Sequence, residues 1–306
     1  MLLSIVIPVY NVAPYLEQCL ESVVGQTLDD SLYEILLIDD KSTDNSLEIC
    51  NAYAARHANI RVFPLPENTP GGAGFPSNFD IKNARGRYVG FVDSDDYAEP
   101  DMFAELLAVA EREKADLTFC SFTIAYPDGA LARPHDAAFW ETFFDPAFAA
   151  LSLTEQKDKY LRLAPAPWRK LYDREFLLGN RLQFPVGDFF YEDTPFHWAC
   201  VLKARHIAKA RKALVTHREQ REGQTVSMDR GKMALQVAGH IRTIRDFLLT
   251  GGYYTAHRKA FLDFALSMIA FVPKDNPLRP EVAQNIIAIC SAPPEGDLTD
   301  FFRIAL

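Results

Sequence analysis

Three carboxylates, Asp93, Asp95 and Asp96, fall within four residues in the stretch FVDSDD, directly after the apolar pair Phe91-Val92. Like charges this close raise one another's pKa unless a cation or hydrogen-bond donors stabilise the ionised forms. A divalent metal ion is the leading partner for such a cluster. The plain alternative is an acidic turn capping a helix expected to begin near Pro100.

The elements that must position these acids are readable from hydrophobic periodicity. The first hundred residues alternate short apolar runs with amphipathic helical patterns, the signature of βαβ units and a largely parallel sheet in an α/β fold. LSIVIPVY, starting at Leu3, is the first strand. From Pro14 onward, Tyr15, Leu16, Cys19, Leu20, Val23 and Val24 form an apolar stripe at helical spacing, with Asn11 as the expected cap. YEILLIDD ends a second buried strand at Asp39 and Asp40, and Asp44 to Ala55 forms the next helix. RVFPL, GRYVGFVDSDD and DLTFCSF supply further strands.

Ligands of open α/β sheets gather at the carboxyl ends of the strands, where loops and helix N-termini collect. That edge would bring together the Pro8-Val9-Tyr10-Asn11 turn, the Asp39-Asp40 pair and the Asp93-Asp95 pair. A nucleotide pocket fits. A dinucleotide-binding domain does not, because the first strand leads into PVYNVAPYL instead of a GxGxxG turn. GGAG at residues 71–74 has no following Lys-Ser or Lys-Thr, so it is no phosphate loop and is expected to be merely flexible.

At 306 residues with 48% hydrophobic and 12% aromatic side chains, the chain has material for one large domain or two modest ones. The formal charge of -9 disfavours a nucleic-acid partner while permitting a local basic site. Cys19, Cys50, Cys120, Cys200 and Cys290 are scattered, form no CxxC pair and read as reduced core thiols, which points to the cytoplasm. MLLSIVIPVY lacks the basic segment and cleavage site of an export signal, and FALSMIAFV is about half a membrane-spanning length. Peripheral attachment at the inner membrane face stays open.

IVIPVYN, LLIDDKSTDNS and GRYVGFVDSDDYAEPDMF, in that order and spacing, resemble the family 2 inverting glycosyltransferases with the GT-A fold, of the bacterial capsule and cell-envelope type. A fourth motif, YEDTPF from Tyr191, lies where that family has its catalytic acids. The resemblance implies a Rossmann-like, mostly parallel sheet flanked by helices, with residues 1–220 as the catalytic domain. Residues 1–100 would be the nucleotide half, 101–220 the acceptor half and 221–306 a helical C-terminal region.

The same resemblance implies roles position by position. Pro8, Tyr10 and Asp40 would hold the nucleotide base, Asp40 accepting from uracil N3–H; helix capping is the plain alternative for Asp39 and Asp40. Asp93 and Asp95 match the DXD motif: Asp93 would reach the ribose or the metal, and Asp95 would bind the Mn²⁺ or Mg²⁺ that bridges the diphosphate of a UDP-sugar. Asp96 is expected to be structural. Glu192 and Asp193 match the ED motif, Asp193 being the base that deprotonates the acceptor hydroxyl in a single inverting displacement. A helix N-terminus accounts for the same residues, and both can hold at once.

In PAPWRKLYDREFL, Trp168 would be a sugar platform or core, and Lys170 would neutralise a phosphate or carboxylate of a substrate or be solvated. In THREQREGQTVS, His217 would complete the metal shell and Arg218 and Arg221 would bind the diphosphate, against the alternative of an exposed charged loop. One departure stands out: relatives carry Arg-Asn where this chain has Ser77-Asn78, leaving Lys82, Arg85 and Arg87 as the nearby substitutes.

Beyond the resemblance, Met233, Val237, Ile241, Ile244 and Phe247 repeat at helical spacing, as do Phe261, Phe264, Ala265, Met268 and Ile269. Two helices are expected, broken at Gly251 and ended by Pro273, Pro277 and Pro280. They could roof the acceptor groove, form a homo-oligomer interface or rest on a membrane carrying a lipid-linked acceptor. The reading is a metal-dependent inverting glycosyltransferase that moves a sugar from a nucleotide sugar to a glycan, capsule or envelope-precursor hydroxyl. A non-catalytic partner subunit that kept the fold is the alternative. A sugar nucleotidyltransferase fits less well, lacking its glycine-rich basic loop after the first strand.

Overall fold

The computed structural model describes residues 1–221 and 230–291. Among the described residues nine strands form one sheet: β1 (Leu3–Val9), β2 (Tyr33–Asp39), β3 (Ile60–Pro64), β4 (Tyr88–Phe91), β5 (Tyr97–Ala98), β6 (Leu117–Ala125), β7 (Leu131–Ala132), β8 (Lys170–Asp173) and β9 (Ile207–Arg218). Their order is β3-β2-β1-β4-β8-β6-β9-β5, with β7 paired to β6. β1 to β4 are mutually parallel. β8 runs antiparallel between β4 and β6, β9 is parallel to β6, and β5 is antiparallel to β9. The sheet is therefore mostly parallel. β2 is buried at every position, which is why YEILLID reads as a continuous apolar run instead of an alternation.

At the carboxyl edge the loops are tied to one another. The helix Ala13–Val24 is not capped by Asn11: the Val12 N–H donates to Ser46 Oγ at 3.0 Å and the Ala13 N–H to Asp44 Oδ2 at 3.0 Å. Asn11 instead takes a left-handed φ of 47°, and its Oδ1 accepts from the Thr43 N–H at 2.7 Å. The loops after β1 and β2 thus satisfy each other's orphan donors. The helix expected near Pro100 runs Met102–Glu113 with Asp101 at its cap position. None of the clustered acids caps it.

Three C-terminal helices, Arg230–Thr250, Tyr254–Phe271 and Arg279–Ser291, replace the expected two. Pro280 does not end the second helix; it sits in the first turn of the third, where a missing N–H is harmless. Val237, Ile241, Ile244, Phe261, Val282 and Ile286 join the core that also holds Phe91 and Phe196. Trp198, on the helix Asp193–Lys203, meets Phe261 edge-on. The C-terminal helices therefore pack against the helix that begins at Asp193. No described helix is long and apolar enough to cross a membrane. All five cysteines are free thiols, four of them buried.

Candidate active site

Asp93, Asp95 and Asp96 follow β4 at its carboxyl end, with carboxylate oxygens within 4.8 Å of one another. The register Tyr97↔Thr216 sets Asp96 beside His217: Asp96 accepts from the Arg218 N–H at 2.9 Å and pairs with His217 Nδ1 at 2.8 Å. Asp96 is fully buried and holds the end of β9 through these two bonds. The Asp95 carboxylate accepts from Arg221 Nε, and its backbone carbonyl accepts from the Arg218 guanidinium, which also reaches Gln18.

Asp93 is pushed well above the usual carboxylate range, by burial first and then by the charges of Asp96 and Asp95, with Asp193 adding to the push and His217 opposing it. Its carboxylate takes no hydrogen bond from any described residue. Burial works against protonation of His217, yet the bond and charge of Asp96 prevail and raise it to about 9. Its Nδ1 is engaged by Asp96, and Nε2 is the ring nitrogen left to face a ligand. Two carboxylates with hard oxygen donors, one of them without a hydrogen-bond partner among the described residues, fit Mn²⁺ or Mg²⁺.

Trp168 and Lys170 are both buried. Trp168 is 4% exposed, stacks on the His217 ring with centroids 5.1 Å apart and meets Phe122 edge-on, so it is core instead of an open sugar platform. Lys170, the first residue of β8, is fully buried and donates to the carbonyls of Pro165 at 2.6 Å and Ala166 at 2.8 Å. It is neither solvated nor placed on the surface to meet a phosphate. Burial and the charge of Arg169 lower it to about 7, with the charge of Asp193 opposing. In return Lys170 pulls Asp193 down against the burial that raises it.

Glu192 and Asp193 stand at the positive end of a helix dipole, Glu192 in the cap position and Asp193 opening the helix Asp193–Lys203. Glu192 is pushed up to about 7 by burial and then by Asp193, while backbone bonds, among them those from Ala73 and Gly74, hold it down. GGAG is thus not a loose loop. Gly72 donates its N–H to the Phe189 carbonyl at 3.0 Å, and a Cβ there would lie 2.4 Å from Glu192 Oε1. Gly71, at a φ of 83°, would meet the Gly187 carbonyl at 2.2 Å. Gly72→Ala should therefore cost about 1–3 kcal/mol of stability by overpacking, and much less in a Glu192→Ala background. Urea unfolding of the four proteins of this cycle checks it; additive costs would mean that the two residues do not touch.

Asp40 is buried and grips the same segment. Its Oδ1 accepts from the Thr69 N–H at 2.9 Å and its Oδ2 from Thr69 Oγ1 at 2.8 Å and Asn68 Nδ2 at 3.3 Å. Burial raises its pKa and the Thr69 bonds oppose that. A carboxylate has about four lone-pair sites, so one remains for a further donor. Asp39 faces the Ser42 N–H and closes a turn, while Pro8 is partly exposed and Tyr10 50% exposed at the end of β1. Residues 68–74 thus run from Asp40 to Glu192, a link that sequence reasoning missed. Its one signal is a glycine pair in a polar loop, which can mark a close backbone approach.

The proposed substitutes for the family arginine do not reach this edge. Ser77 and Asn78 are buried in the helix Gly74–Asn83, where Asn78 bonds both backbone groups of Phe184 at 2.7 and 2.9 Å. Lys82 lies in that helix's far turn. The Arg85 N–H donates to Glu34 Oε1 at 2.7 Å near the amino end of β2, and Arg87 pairs with Glu111 and Asp173. Among the described residues, His217, Arg218 and Arg221 are the cations that contact the acid cluster.

Residues 4–177 match the family model described as Glycosyl transferase family 2. The chain is 34% identical over 218 residues to the uncharacterized glycosyltransferase EpsJ of Bacillus subtilis (strain 168), covering 71% of this chain and 61% of that protein. It is 32% identical over 228 residues to the poly(ribitol-phosphate) beta-glucosyltransferase of Bacillus spizizenii, covering 74% of this chain and 34% of that one. The chain thus spans less than two thirds of either relative. The crystal structure of S. aureus TarS 1-349 in complex with UDP-GlcNAc superposes with a TM-score of 0.62 at 22% identity, over 95% of this chain and 89% of that one. That likeness speaks for the GT-A fold.

Proposed function

The chain belongs to glycosyl transferase family 2, and from that membership we propose that it is a metal-dependent inverting glycosyltransferase. It moves a sugar from a nucleoside-diphosphate donor, a UDP-sugar first, to a hydroxyl of a glycan, capsule or envelope-precursor acceptor. One observation supports the reading: the carboxylates of Asp93, Asp95 and Asp96 gather within 4.8 Å of one another at the carboxyl end of β4.

In the proposed reaction the acceptor oxygen attacks the anomeric carbon as its proton passes to Asp193. The bond from that carbon to the diphosphate breaks, and the nucleoside diphosphate leaves with the electron pair. A sugar hydroxyl is a poor nucleophile near neutrality, so the base acts as the bond forms. Asp93 and Asp95 would hold Mn²⁺ or Mg²⁺, which supplies Lewis-acid neutralisation of the leaving diphosphate. Arg218 and Arg221 already border Asp95 and would offer guanidinium donors to phosphate oxygens, supplying the charge absent at Ser77. Asp40, with one acceptor site left, would take the N3–H of uracil, beside Pro8 and Tyr10. The charge of Lys170 would offset part of the burial that raises Asp193.

TarS was crystallised with UDP-GlcNAc, and one relative is named for transfer to poly(ribitol-phosphate), which supports a UDP donor and a polyol or glycan acceptor here. Free cysteines and the acidic charge support a cytoplasmic enzyme without a nucleic-acid partner, working on a soluble or lipid-linked acceptor at the inner membrane face. A panel of nucleotide sugars, with and without Mn²⁺, tests the reading through nucleoside diphosphate release and thermal protection. UDP-sugars should protect and release UDP only with the ion. Protection without release would favour a binding subunit, and pyrophosphate production from a nucleoside triphosphate and a sugar phosphate would favour a nucleotidyltransferase.

A further inference from the structure

Both hydrogen-bonding groups of Phe190, three residues before Asp193, are taken by one helix that lies outside the family match. Gln236 Oε1 accepts from the Phe190 N–H at 3.1 Å, and His240 Nε2 bonds the Phe190 carbonyl at 2.7 Å. A carbonyl only accepts, so Nε2 carries a proton. The two side chains are four residues apart on Arg230–Thr250 and share a face. The buried His240 ring also meets Phe189 edge-on, with centroids 4.9 Å apart.

From the other side, the Phe189 carbonyl accepts from Gly72 at 3.0 Å. Tyr191 then adopts a φ of 66°, a left-handed conformation that an aromatic residue keeps only when its surroundings enforce it. The helix of the base starts two residues later. Any rotation of the turn at Tyr191 would therefore swing the Asp193 carboxylate.

We propose that Gln236 and His240 are positioning residues, a clamp through which the C-terminal helix fixes the turn that aims Asp193 at the acceptor hydroxyl. The clamp rests on the reading of Asp193 as base. It gives the C-terminal helix a part in the reaction, which a mere lid over the acceptor groove would not have. Because it acts on the base and not on the donor, its loss should appear in kcat.

The test uses the full chain with Gln236→Leu/His240→Phe, which keeps packing but removes both bonds, and His240→Gln, which can still donate to the carbonyl. Hydrogen exchange across 187–193 should show lost protection at Phe190 in the double variant and retained protection in His240→Gln. With a UDP-sugar that the wild type turns over in Mn²⁺, kcat of the double variant should fall about 10- to 100-fold while the donor KM moves less than about twofold. His240→Gln should stay within about threefold of wild type. Wild-type kcat in the double variant, a loss carried by donor KM, or unchanged exchange at Phe190 would each overturn the clamp. If the wild type turns over no UDP-sugar, the transfer reading fails on its own, and unchanged exchange at Phe190 still overturns the clamp.

Discussion

Asp193→Asn is expected to lower kcat for sugar transfer by about 10³-fold while leaving affinity for the UDP donor within about threefold. An amide has the shape of the carboxylate but cannot take the acceptor's proton. Asparagine also suits a helix N-terminus, so the helix Asp193–Lys203 should keep its start and the fold its stability. Single-turnover transfer with saturating donor, beside UDP binding by calorimetry, separates chemistry from binding. A variant with wild-type kcat would remove Asp193 from the role of base.

The pH profile extends this argument. Burial raises Asp193 and the charge of Lys170 opposes it. A base acts only when ionised, so kcat/KM should fall on the acid side as pH drops through its pKa. Lys170→Met removes the charge that favours ionisation and should move that acid limb to higher pH. A merely structural lysine would lower activity uniformly without moving the limb.

The sequence revealed what repeats locally and hid what depends on contacts across the fold. β1, β2 and β4 are buried apolar runs, and the acids that end β2 and β4 fall at the sheet's ligand edge, so the place of Asp40 and Asp93 was legible. Lys170 was not. Its neighbour Arg169 gives the segment a solvated look, yet both side chains are wholly buried: Lys170 is tied to two carbonyls, and Arg169 to the Cys120 carbonyl and Asp136. Only the fold supplies the distant acceptors of Arg169 and the burial of both side chains, although the carbonyls that hold Lys170 lie four and five residues back in the same segment. Asn11 misled for a related reason, since the cap of its helix comes from Asp44 and Ser46, more than thirty residues along the chain. Trp168 faces His217 because β9 passes beside it, and no spacing within PAPWRKLYDREFL could announce that strand. The resemblance of the motifs named the candidate residues; their burial and partners required the three-dimensional arrangement.

Asp95→Asn should weaken Mn²⁺ binding by at least about tenfold and lower metal-supported transfer by about 10²- to 10³-fold, comparable to stripping the ion with EDTA. The effect is large because Asp95 offers one of two carboxylates free of the buried His217 pair and also anchors Arg221. Its loss removes negative charge from the cation and takes away one partner of the guanidinium that would meet the diphosphate. Mn²⁺ titration followed by electron paramagnetic resonance, with UDP present, measures the first effect without relying on turnover.

Asp96→Asn provides the contrast, since Asp96 serves His217 and the Arg218 backbone instead of an ion. It should spare most Mn²⁺ affinity and act on stability. His217 is raised from the usual 6.5 to about 9, so while Asp96 is ionised the bond contributes fully below pH 6.5 and is lost as pH rises through about 9. Asp96→Asn should therefore cost more stability at pH 7 than at pH 10. If Asp95→Asn bound Mn²⁺ like the wild type while Asp96→Asn lost it, the two acids would have exchanged roles, and His217 would have to be reconsidered as part of the metal site.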